Sequence, residues 1–251
     1  MSTPFDLSGR TAVVTGGGRG LGLGITESLL AAGADVVVLS RSDISSELAD
    51  HAAGLGRTVS HVPVDLGDGD AIAAAGEQVL ADHTVDILVN NAGSQDRYPA
   101  VDFPLDAWDA IMDVNLRSVF QLCQIFGRPM LERGAGKVVN LASLLSFQGG
   151  LTVPAYAASK GGVAQLTKAL CNEWAGKGVN VNALAPGYMA TEMNTALLAD
   201  PDRLAQLSVR IPAGRWGEPD DVGDVVVFLA SQAAKYVHGQ VLAVDGGWLA
   251  R

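Results

Sequence analysis

Short aliphatic and β-branched runs recur along this chain, each separated from the next by a longer stretch with helical spacing. Residues 11–15, 35–40, 59–64, 86–89, 137–142, 179–185 and 241–244 read as strands, and 20–32, 70–82, 106–133, 154–177 and 220–231 as helices. The run Val36-Val37-Val38-Leu39 is apolar at every position, as in a strand covered on both faces. Such strands belong to parallel sheets, whose neighbours need a crossover of a dozen or more residues, usually a helix. The expected fold is therefore α/β: a doubly wound, Rossmann-type, seven-stranded parallel sheet with helices on both faces.

With 48% hydrophobic residues in 251, one large core can be filled. No apolar run approaches the roughly 18 residues of a membrane helix. No linker, repeat or low-complexity segment divides the chain, so 1–251 is expected to be a single domain. The stretch 188–216 stands out as a long connection with polar and proline breaks, and it reads as a lid over a ligand. The balance of 17 Lys and Arg against 27 Asp and Glu gives a net charge of −10. That argues against a nucleic-acid backbone or an anionic membrane as partner and leaves a small molecule. The chain opens without a basic-then-apolar signal pattern, and Cys123 and Cys171 fall inside helical stretches. A cytoplasmic, reducing setting is expected, with no metal site.

The first strand runs into Thr15-Gly16-Gly17-Gly18-Arg19-Gly20-Leu21-Gly22, which opens the first helix. Glycines there let the backbone turn tightly and approach a pyrophosphate, which the helix N-terminus then receives. A plain flexible turn would use the same residues, but the place after strand one favours a dinucleotide. The second strand ends Ser40-Arg41, without the carboxylate that would bond ribose hydroxyls and repel a 2′-phosphate. Arg41, with Arg19 in the glycine loop, suits a phosphate. NADP(H) is thus favoured, while Asp43 nearby could still serve the ribose of NAD(H). Asp65-Leu66 closes strand three, where the carboxylate either accepts from an adenine amino group or caps a turn. Asn90-Asn91-Ala92-Gly93 closes strand four, its small residues admitting a ribose.

Tyr156 and Lys160 are four apart on one helix and share a face. A free tyrosine has a pKa near 10; an ammonium beside it would stabilise the phenolate. Ser143 follows strand five at the same sheet edge and can bond a reacting oxygen. Asn115 lies mid-helix, where an amide is a mediocre helix former and could hold a proton-relaying water.

Gly16/Gly20/Gly22, Asn90-Asn91-Ala92-Gly93, Asn115, Ser143, Tyr156-x-x-x-Lys160 and Pro186-Gly187, in that order over nearly the whole chain, resemble the short-chain dehydrogenase/reductase family. The resemblance implies a nicotinamide cofactor, NAD(P)(H), and an Asn115–Ser143–Tyr156–Lys160 tetrad. It also implies that Pro186, Gly187 and Thr191 flank the nicotinamide, and that the chain forms a homotetramer. A finer resemblance lies in 144–150, 185–191, 211–217 and 244–251. It is to members acting on keto-deoxy sugar acids of the 2-dehydro-3-deoxy-D-gluconate kind.

Gln148, Tyr188 and Met189 are the expected substrate contacts, since each lies just past a catalytic strand. Arg97, Arg215 and Arg251 are candidates for the substrate carboxylate. Trp248, too apolar for a free tail, is expected to be buried at a two-fold interface. Two other functions stay open. One is a 3-oxoacyl-carrier-protein reductase docking through Arg128, Arg133 and Lys137; the other is a nucleotide sensor without turnover.

Overall fold

A computed structural model describes residues 3–191 and 200–251. Seven parallel strands form one sheet: β1 (Thr11–Thr15), β2 (Asp35–Ser40), β3 (Val59–Pro63), β4 (Ile87–Asn90), β5 (Gly136–Leu141), β6 (Val179–Pro186) and β7 (Val241–Val244). Their order across the sheet is β3-β2-β1-β4-β5-β6-β7. Strand order therefore reverses between β1 and β4, and ligands of open α/β sheets bind at the carboxyl ends beside such a reversal.

The helices are α1 (Gly20–Ala31), α2 (Ser46–Gly54), α3 (Gly69–Asp82), α4 (Leu105–Met112), α5 (Ser118–Arg133) and α6 (Pro154–Trp174), followed by α7 (Pro201–Ser208) and α8 (Pro219–Ala230). Alternate residues of each central strand feed opposite layers, as the pleat requires. Ala12, Val14, Val36 and Val38 meet Ile25, Leu29, Val222 and Val226 on the α1–α8 side. Val13, Val37 and Leu39 meet Ile72, Phe126 and Val163 on the α3–α5–α6 side. A third, smaller apolar cluster of Leu144, Leu207, Ile211, Trp216 and Trp248 lies apart from both.

The sequence reading is corrected in two places. The helix expected at 106–133 is interrupted by a π-helical turn, Asp113–Arg117, where the Ser118 N–H reaches back to Asp113 O. Helix α2 is an addition between β2 and β3; its short amphipathic run is capped by Ser45, which accepts from the Leu48 N–H at 3.3 Å. Of the stretch expected to act as a lid, 188–216, α7 forms part and residues 192–199 lie outside the described residues. Trp248 is 3% exposed within its own chain, so its burial needs no neighbouring subunit.

Candidate active site

The carboxyl ends of β1, β2, β4, β5 and β6 open into a cleft of ≈ 1820 Å³. A drug-sized pocket is roughly 300–1,000 Å³, so this one has room for a dinucleotide beside a small substrate. Every residue expected to hold cofactor lines it: Gly16, Arg19, Gly20, Leu21, Gly22, Ser40, Arg41, Asp65, Leu66, Asn91, Ala92, Gly93, Tyr156, Lys160, Pro186, Gly187 and Thr191.

The glycine loop is shaped by its neighbours. Gly16 and Gly20 have φ of +65° and +51°, a region that costs other residues dearly. A Cβ on Gly22 would collide with the Gly16 carbonyl. The loop is held from behind by Thr15, whose Oγ1 accepts from the N–H groups of Asn91 and Ala92, each at 2.9 Å, while Asn91 Nδ2 donates to Thr15 O at 2.9 Å. Helix α1 starts at Arg19 without a side-chain cap among the described residues. Its first N–H donors are therefore available to an anion, the usual provision for a pyrophosphate. These features fit a dinucleotide. Asp65 is exposed and its Oδ1 accepts from the Gly67 N–H at 2.9 Å, the turn-capping geometry.

The chemical end of the cleft is built on α6 and the loop after β5. Lys160 is 3% exposed, and its Nζ donates to Leu141 O at 2.6 Å. Burial pulls its pKa down to about 8. The Tyr156 ring centroid is 5.8 Å from that Nζ. Burial pushes the Tyr156 phenol above its ordinary value, against the lowering effect of a hydrogen bond with Ser143.

Ser143 Oγ accepts from the Leu145 N–H at 3.2 Å. Its own N–H donates to Ser146 Oγ at 3.3 Å, and Ser146 Oγ donates to Lys160 O at 2.7 Å. Ser146, overlooked in the sequence, thus bolts the serine loop to the lysine's own backbone. A buried chain, Asn90 Nδ2 to Asn140 Oδ1 at 2.8 Å and Asn140 Nδ2 to Thr167 Oγ1 at 2.9 Å, fixes β4, β5 and α6 to one another.

Asn115 sits in the π turn and is fully buried. Its Oδ1 accepts from the Ser94 N–H at 2.8 Å, and its Nδ2 donates to Ser94 O at 2.9 Å and Ser159 Oγ at 3.1 Å. The side chain expected to hold a water is instead spent on the strand-four loop and on α6, one residue before Lys160. A π turn inside a helix often marks a functional site.

Tyr188 sits between Trp216 and Trp248, its ring tilted to them by 59° and 56°, with centroids 5.3 and 4.7 Å away. Gln148 Oε1 accepts from the Trp248 indole at 3.4 Å. Gln148, Tyr188 and Met189 all line the cleft, Met189 only 5% exposed and packed against the core and Gly217. Of the expected cations, Arg215 is held bidentately by Asp221 at 2.6 and 2.7 Å, which lowers that carboxyl to about 2. Arg251 donates to the carbonyls of Val209 and Arg210. Arg97 does line the cleft, and so does Arg210, which the sequence did not single out. The Arg210 guanidinium carbon lies 3.9 Å from the Trp248 ring centroid.

Comparison with known proteins follows the same lines. A family model described as enoyl-(acyl carrier protein) reductase matches residues 16–249. The 2-dehydro-3-deoxy-D-gluconate 5-dehydrogenase of Bacillus subtilis (strain 168) is 49% identical over 247 residues, covering 98% of this chain and 97% of that one. A solved, provisionally assigned NAD(P)-dependent gluconate 5-dehydrogenase from Beutenbergia cavernae, with bound NADP, superposes at a TM-score of 0.96. It is 52% identical, over 99% of this chain and 100% of its own. A gluconate 5-dehydrogenase from Burkholderia cenocepacia J2315, in complex with NADP and tartrate, gives 0.94 at 42% identity, over 99% and 98%.

Proposed function

The chain belongs to the short-chain dehydrogenase/reductase family, and from that premise we propose that it oxidises and reduces a keto-deoxy sugar acid of the 2-dehydro-3-deoxy-D-gluconate type with NADP(H). The observation that carries this reading is full-length identity of about half to a relative of that name, together with Ser143, Tyr156 and Lys160 in one dinucleotide-sized cleft. The glycine loop and α1 would hold the pyrophosphate, and Arg19 and Arg41 would favour the 2′-phosphate. Pro186, Gly187 and Thr191 would border the nicotinamide, which would supply the hydride-exchanging carbon.

The chain's own groups handle the proton and the orientation. Tyr156 takes the hydroxyl proton in oxidation and returns it in reduction. Ser143 bonds the same oxygen and holds it at the phenol. Lys160, fixed by Leu141 O, lends positive charge to the phenolate as it forms. Asn115 positions α6 and the strand-four loop. Arg210 and Arg97 meet the substrate carboxylate, Gln148 and Tyr188 its hydroxylated body.

We read the protein as a single catalytic domain that works in the cytoplasm as a homotetramer. Leu105 is 79% exposed and Phe120 and Leu242 about 40%, a distribution that suits contact with further copies. No helix among the described residues is long and apolar enough to cross a membrane. Of the residues of the acyl-carrier-protein reading, Arg128 and Arg133 are exposed, Arg133 also donating to Val85 O at 2.8 Å, while Lys137 is half-buried and donates to Asn180 Oδ1 at 3.0 Å.

The test is a panel of uronate-derived keto-deoxy acids, polyols and an acetoacetyl thioester, each assayed with both cofactors by nicotinamide absorbance. Fastest turnover of a keto-deoxy acid with NADP(H) is expected; a preference for the thioester would sink the reading.

A further inference from the structure

The end of β2 is where the two forms of the dinucleotide are told apart, and the residue that organises it comes from the neighbouring edge strand. His61, on β3, has a side chain 11% exposed. Its Nε2 lies 3.0 Å from Ser40 O and 3.1 Å from Ser40 Oγ. Its Nδ1 lies 3.2 Å from Asp43 Oδ1. Ser40 Oγ already donates to Ser42 O at 2.8 Å, so it meets the ring as an acceptor. The atoms that face the two ring nitrogens, Ser40 O, Ser40 Oγ and Asp43 Oδ1, are thus all acceptors.

Asp43 is the carboxylate of this corner. It lines the cleft with Ser40, Arg41 and Ser42, and the glycine loop comes up beside it, a Cβ on Gly18 lying 3.9 Å from Asp43 O. A bare carboxylate here would repel a ribose 2′-phosphate and bond ribose hydroxyls instead. The Asp43 side chain is 86% exposed, but its Oδ1 is held by His61 and by the Ile44 N–H at 2.9 Å.

Building on the dinucleotide reading above, we propose that His61 is a specificity-determining positioning residue. By pairing with Asp43 and anchoring Ser40, it converts a strand end that carries a carboxylate into a seat for the 2′-phosphate. His61 acts through Asp43 and does not itself border the cleft.

Calorimetric titration of NADP⁺ and NAD⁺ onto the purified full chain tests this without turnover. His61→Leu should weaken NADP⁺ binding about tenfold, the scale of one uncompensated like charge, and leave NAD⁺ within about twofold. Adding Asp43→Asn to His61→Leu should restore most of the NADP⁺ affinity, which a merely structural role for the histidine would not allow. Equal losses for both dinucleotides, unchanged NADP⁺ affinity, or a loss that Asp43→Asn fails to relieve would each overturn the proposal. A wild-type chain that binds neither dinucleotide would instead overturn the parent reading, and this one with it.

Discussion

The two ends of the cleft are made from different materials. At the end formed by β1, β2 and β4, the recognition surface is main chain: glycines with positive φ, uncapped N–H groups of α1, and a threonine and an asparagine that hold backbone to backbone. At the other end it is side chains from distant parts of the sequence. Trp216, Tyr188, Trp248 and Arg210 pack in series, and Trp248 is tied to Gln148. A main-chain surface suits a ligand part that never changes, such as a pyrophosphate. A surface of stacked side chains is readily altered by substitution, which suits a substrate that differs between relatives named for gluconate, 2-dehydro-3-deoxy-D-gluconate and galactitol.

Between the two lies the catalytic group, and there the largest effect is expected. Tyr156→Phe should lower kcat by about 10²–10⁴ while calorimetric dinucleotide affinity stays within twofold. Retention of more than a tenth of the rate would remove Tyr156 from its role.

If the first end is truly main chain, a single added methyl should ruin it. Gly22→Ala, which would collide with the Gly16 carbonyl, should cost dinucleotide affinity about 100-fold and also lower the melting temperature, since overpacking strains the fold. An alanine variant with normal affinity would show that the loop is softer than this contrast requires.

Lys160 sharpens the comparison from inside. Burial makes its amine harder to protonate in the folded chain, with a pKa of about 8 against 10.5. Between those values the unfolded chain binds more protons, so this group's contribution to stability rises with pH through that window. Its full penalty, about 3 kcal/mol, applies below it. Urea unfolding at pH 7 and pH 10 should show Lys160→Met gaining on wild type at the lower pH and losing that gain at the higher one. A difference independent of pH would mean that the amine is not desolvated.

The smallest effect belongs to the side-chain end. Arg210→Gln should raise KM for a sugar acid about tenfold, as expected for losing one charge-assisted contact, with dinucleotide affinity and KM for an uncharged polyol unchanged. A parallel rise for the polyol would assign Arg210 to lid packing.

The same division explains what could be read in advance. The sheet, the glycine loop and the positions of Ser143, Tyr156 and Lys160 were legible because each depends on local sequence: short continuous apolar strands, a strand–glycine–helix junction, an i, i+4 pair. Arg210 was not, because its importance comes from an indole 38 residues later in the chain. Nor was the π turn at Asn115, whose cause is an amide that must reach both Ser94 and Ser159. Arg215 misled because an arginine beside a glycine looks free until Asp221 is brought against it.

The aromatic stack has one more consequence, an optical one. The chain has four tryptophans; Trp216 and Trp248 flank Tyr188, and Trp248 also lies beneath a guanidinium. Indole emission is sensitive to charges held against the ring. With oxidised dinucleotide present, an acid neutralising Arg210 should therefore shift the protein's own fluorescence, and Trp248→Phe should remove most of that response. The substrate end of the cleft thus carries its own reporter, able to time the arrival of a ligand without any label.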